Sequence, residues 1–256
     1  MEYYIYAIIF LIGAFFGSFF TLAVYRIPKK EDILVKHSYC PNCNHKLGLL
    51  DLFPIFSYLF LRGRCRYCNK KIRPRYLILE TLTGISFVLV SISLNLNFYS
   101  FDIKQFINLT FTLLYISILF IIAGIDKENF DINIPTLYIG LGFEIIYMIY
   151  ACTLNQVNVY QYVIYAICFI FILVISIISK KIFMEEKYCI KISLLILYMI
   201  VYGGSLLYCL TAILTLFEII MHKFIYKNNR IPFGFYLCIG NVISIILQNI
   251  VLSFII

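Results

Sequence analysis

Apolar runs of roughly twenty residues recur along this chain, the length a helix needs to cross a hydrocarbon core about 30 Å thick. The first covers about Tyr3 to Tyr25 and carries Gly13, Gly17 and Ser18, small residues that let a second helix come close. Further runs cover Tyr76 to about Leu96, Phe106 to Ile125, the stretch from after Asp131 to about Ala151, and Tyr160 to Ser179. The stretch from Tyr188 to His222 is long for one span and short for two, and Gly203-Gly204-Ser205 sits in its middle. It reads as a helical hairpin, a sixth and a seventh span turning at the glycine pair. The last run is about Phe233 to Leu252. The expected fold is an all-α polytopic membrane protein of about eight transmembrane helices. Composition agrees: 62% of residues are hydrophobic, against about 45–50% in soluble domains. The N-terminus lacks a basic leader region and a small-residue cleavage site, so the first run is expected to stay in place as a span.

Charge breaks this pattern in one place. Twelve of the 21 Lys and Arg residues fall between Arg26 and Arg75, against only Glu31, Asp32 and Asp51. Basic residues beside spans set orientation and attract anionic lipid, so the net charge of +8 does not point to nucleic acid. With eight spans, twenty basic residues lie in the links on one side and Lys104 stands alone on the other. The positive-inside rule then puts the 26–75 loop on the cytoplasmic side and both termini outside.

Within that loop stand Cys40-Pro41-Asn42-Cys43 and Cys65-Arg66-Tyr67-Cys68. Each two-residue gap lets one turn present two sulfurs to the same ion, so Cys40, Cys43, Cys65 and Cys68 read as a tetrahedral Zn²⁺ site. Zinc would fold a loop with too few apolar residues to make a core. His37 and His45 lie nearby and are not needed as ligands. Cys152, Cys168, Cys189, Cys209 and Cys238 lie in or beside apolar runs, where isolated Cys acts as a small hydrophobe.

Several strings together resemble the type IV prepilin peptidases, the leader peptidase/N-methyltransferases of pilus and type II secretion systems. They are Gly17-Ser18-Phe19, Tyr25-Arg26-Ile27-Pro28, the cysteine loop with Leu49 to Pro54 and Ser57-Tyr58-Leu59, Arg75-Tyr76, Glu80, and Ile231-Pro232-Phe233-Gly234. Thr21 and Phe235 depart from the family pattern. The resemblance implies an N-terminal region over 1–96 containing the zinc loop, and a membrane aspartyl peptidase-like helical domain over 97–256. It also implies pilin-like precursors as substrates, methylation from S-adenosylmethionine, and a place in the bacterial cytoplasmic membrane. No Gly-rich cofactor loop following a strand is visible to support the methyl donor independently.

The family's peptidase chemistry resembles that of the GxGD aspartyl proteases. Two neighbouring carboxylates cannot both ionise, so one serves as acid while the other activates water. Asp126, closing the third run, matches the first aspartate. No GxGD string stands where the second is expected: the chain reads Met184-Glu185-Glu186-Lys187-Tyr188-Cys189-Ile190-Lys191. Glu185 and Glu186 are the candidate second carboxylates. Two functions follow: a prepilin leader peptidase, or a peptidase-degenerate membrane factor that retains pilin precursors without cutting them.

Overall fold

The structure, a computed structural model, describes residues 2–33, 37–94, 96, 102–153, 186–202, 205–226 and 231–255, with single helical positions at 160, 163, 167 and 170. Eight α-helices run through these residues. They are α1 (Glu2–Arg26), α2 (Phe56–Phe60), α3 (Arg75–Ser93), α4 (Ile103–Asn129), α5 (Ile134–Thr153), α6 (Glu186–Tyr202), α7 (Ser205–Tyr226) and α8 (Phe233–Ile255). Four of them, α1, α3, α4 and α5, are long and apolar enough to cross a membrane. The eight helices are not the eight expected spans one for one. The short α2 belongs to the polar loop, and the fifth span, Tyr160 to Ser179, lies largely outside the described residues. Helices α6 and α7 stand on either side of Gly203-Gly204, which also lies outside them.

The chain forms two compact units, Met1–Asp102 and Ile103–Ile256. In the first, α1 and α3 pack along their length because glycine removes the side chains between them. A Cβ on Gly13 would come within 2.8 Å of the Gly84 Cα, and one on Gly17 within 2.7 Å of the Glu80 Cα. This is small-residue packing of the kind that holds helices together where lipid and side chain are equally apolar.

In the second unit α4 packs against α5 and α8, α6 against α5, and α7 against α8. Apolar burial between helices gains little inside a bilayer, so polar links carry part of the specificity. Tyr115 on α4 donates to Asn241 Oδ1 on α8 at 2.8 Å, and Asn241 Nδ2 donates to Thr211 Oγ1 on α7 at 3.2 Å. Tyr202 on α6 donates to Thr112 on α4 at 2.8 Å, and its ring stacks on that of Tyr115 at 3.9 Å. Glu144 on α5 is buried as well, and its Oε2 has no hydrogen-bond partner among the described residues.

Candidate functional site

Each unit contains one constellation. In the first, the four thiols come together: the sulfurs of Cys40, Cys43, Cys65 and Cys68 all lie within 4.8 Å of one another, with Cys40 to Cys68 at 3.9 Å. Tetrahedral Zn–S bonds of about 2.3 Å imply S···S distances of about 3.8 Å, so a small contraction closes the site around an ion.

Two copies of one turn build it. In each, the first Cys N–H bonds a carbonyl five residues on, His45 for Cys40 and Lys70 for Cys65, at 3.0 and 2.9 Å. The residue after the second Cys is an asparagine in left-handed conformation, Asn44 at φ 55° and Asn69 at φ 56°, which returns its N–H to the first Cys carbonyl. Asparagine tolerates that conformation better than most residues. Single bridges, Tyr39 with Lys46 and Arg64 with Lys71, close the two turns.

Burial opposes charge on Cys40, but backbone N–H groups of Asn42 and Cys43 and the neighbouring thiols outweigh it and lower the thiol from 9.0 to about 7. Cys68 is drawn down by the Lys70 N–H, yet burial and the other three sulfurs raise it to about 11. His45 is exposed, its ring tilted against that of Tyr67 with centroids 3.6 Å apart, and it makes no part of the sulfur cluster.

Between this loop and the ends of α1 and α3 lies a cavity of about 370 Å³. Arg26 and Arg75 line it with Glu80, Tyr25, Tyr58 and Tyr76. Arg26 is only 3% exposed, and its guanidinium donates to the Asp32 and His37 carbonyls, fixing the chain on leaving α1. The volume lies in the range of small-molecule sites, about 300–1,000 Å³. Guanidinium, carboxylate and aromatic groups together suit a ligand that has a carboxylate, a cationic centre and a flat ring. Glu80 is buried and accepts the Ile55 N–H at 2.7 Å.

In the second unit Asp126 sits in the last turn of α4 and is 0% exposed. Tyr188, in the first turn of α6, donates to its Oδ1 at 2.7 Å. The N–H of Phe235, in the first turn of α8, donates to its Oδ2 at 2.9 Å. The carboxylate thus caps a helix N-terminus, where backbone N–H groups lack intrahelical partners and negative charge is favoured. Gly234 makes the approach possible, because a Cβ there would stand 3.1 Å from Oδ2. Beside it, Lys191 pairs with Asp131, and Lys127 lies over the Phe235 ring at 4.6 Å.

Of the candidate second carboxylates, Glu185 lies outside the described residues. Glu186 is described as the first residue of α6, its side chain not. Cys189 is likewise described in backbone only. Sequence reasoning missed Tyr188 as the partner of Asp126 and Glu80 as the anchor of the loop. The asparagine after each cysteine pair is a signal of this turn readable in the sequence.

These features define a helical membrane protein with a four-cysteine loop between its first two long spans and a buried aspartate at the end of a later one. Residues 11–94 match the family described as Bacterial Peptidase A24 N-terminal domain. The chain is 31% identical over 147 residues to a prepilin leader peptidase/N-methyltransferase of Klebsiella pneumoniae, covering 54% of this chain and 60% of that protein. It is 39% identical over 79 residues to one of Myxococcus xanthus, covering 31% and 24%. With one of Vibrio cholerae it shares 38% identity over 86 residues, covering 30% and 34%. Each match therefore spans less than two thirds of the relative's own length. No solved structure matches. Residues 11–94 are thus similar to the bacterial A24 peptidase N-terminal domain, and the chain is similar over part of its length to prepilin leader peptidase/N-methyltransferases.

Proposed function

We propose that this protein processes pilin-like precursors at the cytoplasmic face of the bacterial inner membrane, as a prepilin leader peptidase with an associated N-methyltransferase region. The observation that carries the peptidase half is the hydrogen bond from Tyr188 to Asp126. It sets the first turn of α6 against the buried carboxylate. That turn opens at Glu186, two residues before Tyr188, so the backbone of one candidate second carboxylate is in the turn that meets Asp126. Of two adjacent carboxyls, the deprotonated one would take a proton from water while the protonated one donates to the departing amine.

In the first unit, Cys40, Cys43, Cys65 and Cys68 would hold a structural Zn²⁺, and the cavity bounded by Arg26, Arg75 and Glu80 would hold S-adenosylmethionine. When bound, that cofactor supplies an electrophilic methyl group. Arg75 is placed to bind a carboxylate there and the tyrosine rings to face a cation, while Arg26 holds the wall of the cavity through the Asp32 and His37 carbonyls.

A second reading, retention of precursors without cutting, is favoured by one feature. Both oxygens of Asp126 are already engaged, one by Tyr188 and one by the start of α8, as in a carboxylate that only ties helices together. The deciding measurement is the ratio of processed to unprocessed pilin in cells lacking other prepilin peptidases. General acid–base help contributes roughly 10²–10⁴ in rate. The peptidase reading expects slow processing by the native chain and a loss of about that size in Asp126→Asn. No processing by the native chain, with cleavage appearing when Glu186→Gly, Lys187→Gly, Tyr188→Gly and Cys189→Asp are made together, would establish the second reading.

A further inference from the structure

The cysteine loop contains an apolar segment that its polar surroundings do not explain. From Leu49 to Phe60 run a 3-10 turn, Leu49–Asp51, and the helix α2. Their residues divide cleanly between two faces. Asp51, Leu52, Ser57 and Tyr58 line the cavity described above. Leu49, Leu50, Phe53, Phe56, Leu59 and Phe60 point the other way and are exposed, Leu49 to 89%, Leu50 to 76% and Phe60 to 83%. Contiguous exposed apolar groups on one face mark a surface that something apolar covers.

The position of the segment identifies the cover. Phe53 meets Phe15 edge to face, with ring centroids 5.5 Å apart. Phe15 is an exposed residue within the α1 span, eleven residues before Arg26, or about 16 Å along the helix axis. The Ile55 N–H bonds Glu80, five residues into α3, or about 8 Å from the start of that helix. The segment therefore lies alongside two apolar spans, inward of their ends, on the face that Phe15 presents outward. Its backbone is prepared for such a place. The N–H groups of Asp51, Leu52, Ile55, Phe56, Ser57, Leu59 and Leu61 are bonded within the protein, which lowers the cost of placing this part of the chain at membrane depth. Exposed Lys46 precedes the segment, and exposed Arg62 and Arg64 follow it, which suits anionic headgroups over buried acyl chains.

We propose that residues 49–60 form a re-entrant anchor whose apolar face lies in the acyl region of the bilayer, holding the four-cysteine loop against the membrane. The occupant is lipid. A second copy of this chain, or the apolar helix of another protein, is the competing cover.

The chain contains no tryptophan, so one introduced indole reports its own surroundings. The full chain carrying Leu50→Trp, and separately Phe60→Trp, is reconstituted in phosphatidylcholine/phosphatidylglycerol vesicles with or without bromine on the acyl chains, with Tyr67→Trp as the reference. An apolar face seated about 5–10 Å below the headgroup boundary places both indoles within reach of the bromines. Leu50→Trp and Phe60→Trp should emit to the blue of Tyr67→Trp, and brominated lipid should remove more than about half of their emission and little of the reference's. The proposal is overturned if either variant emits like the reference and is quenched by aqueous acrylamide. It is equally overturned by blue emission that bromine leaves unchanged, because protein would then be the cover.

Discussion

At the scale of single residues, Glu80 separates what the chain spells out from what only the fold reveals. In the sequence Glu80 stands out only as one of the residues that carry the family resemblance. In the structure it is buried and accepts the Ile55 N–H across 25 positions of sequence. Ile55 itself sits at φ 64°, a conformation that β-branched residues seldom adopt, so its backbone depends on the contacts that hold it. Glu80→Ala leaves that N–H without an acceptor, at a cost of about 1–3 kcal/mol. Glu80→Gln keeps a carbonyl acceptor and loses less. Hydrogen exchange should show the Ile55 amide opening in the alanine variant and staying largely protected in the glutamine variant. Equal protection in native and alanine chains would contradict the role assigned to Glu80. Tyr188 was illegible for a similar reason, since its partner Asp126 lies 62 positions away and no local pattern links them.

Among the elements, those fixed by local spacing were legible and those fixed by long-range contact were not. Apolar length foretold α1, α3, α4 and α5, and the glycines of α1 foretold close packing without naming α3 as the partner. The cysteine spacing foretold the sulfur cluster, because each pair closes within one turn. Helix α2 was absent from that reading: five residues are too few to show a period, and its apolar face turns away from the loop that surrounds it. Two predictions belong here. Gly17→Leu forces a side chain into the 2.7 Å gap at the Glu80 Cα, and overpacking of this kind costs about 1–3 kcal/mol. Thermal unfolding in detergent should fall accordingly, and by more than for Gly142→Leu, whose Cβ position has nothing within 4 Å among the described residues. The double variant Cys65→Ser, Cys68→Ser leaves two ligands of four. Its bound zinc, about one per native chain, should disappear, and residues 37–73 should become protease-sensitive while the spans stay inserted. Full zinc content in that variant would remove the metal site.

For the whole molecule the governing quantity is the distribution of charge rather than its total. A net +8 spread evenly would say little, but twenty of 21 basic residues fall in links that eight spans place on one side. Moving such residues across a bilayer is costly, so the asymmetry fixes orientation during insertion. The fifth span is the weak link in that count, since removing it would reverse every later link relative to the cysteine loop. Two labels therefore test the topology jointly. A membrane-impermeant thiol reagent applied to intact cells, with a chelator to release any metal, should leave Cys43 unmodified in a Cys40→Ser chain. After the inner leaflet is opened, Cys43 should react, because it is exposed in the loop. The second label is a cysteine at Asn228, in the basic link before α8, introduced in a chain whose other cysteines are serine. With eight spans it shares the protected side with the loop, so it too should react only after opening. Labelling of Cys43 in intact cells would invert the protein. Protection of Cys43 with free labelling at position 228 would show an odd number of crossings between the two, and would remove the fifth span as the cause of the charge asymmetry.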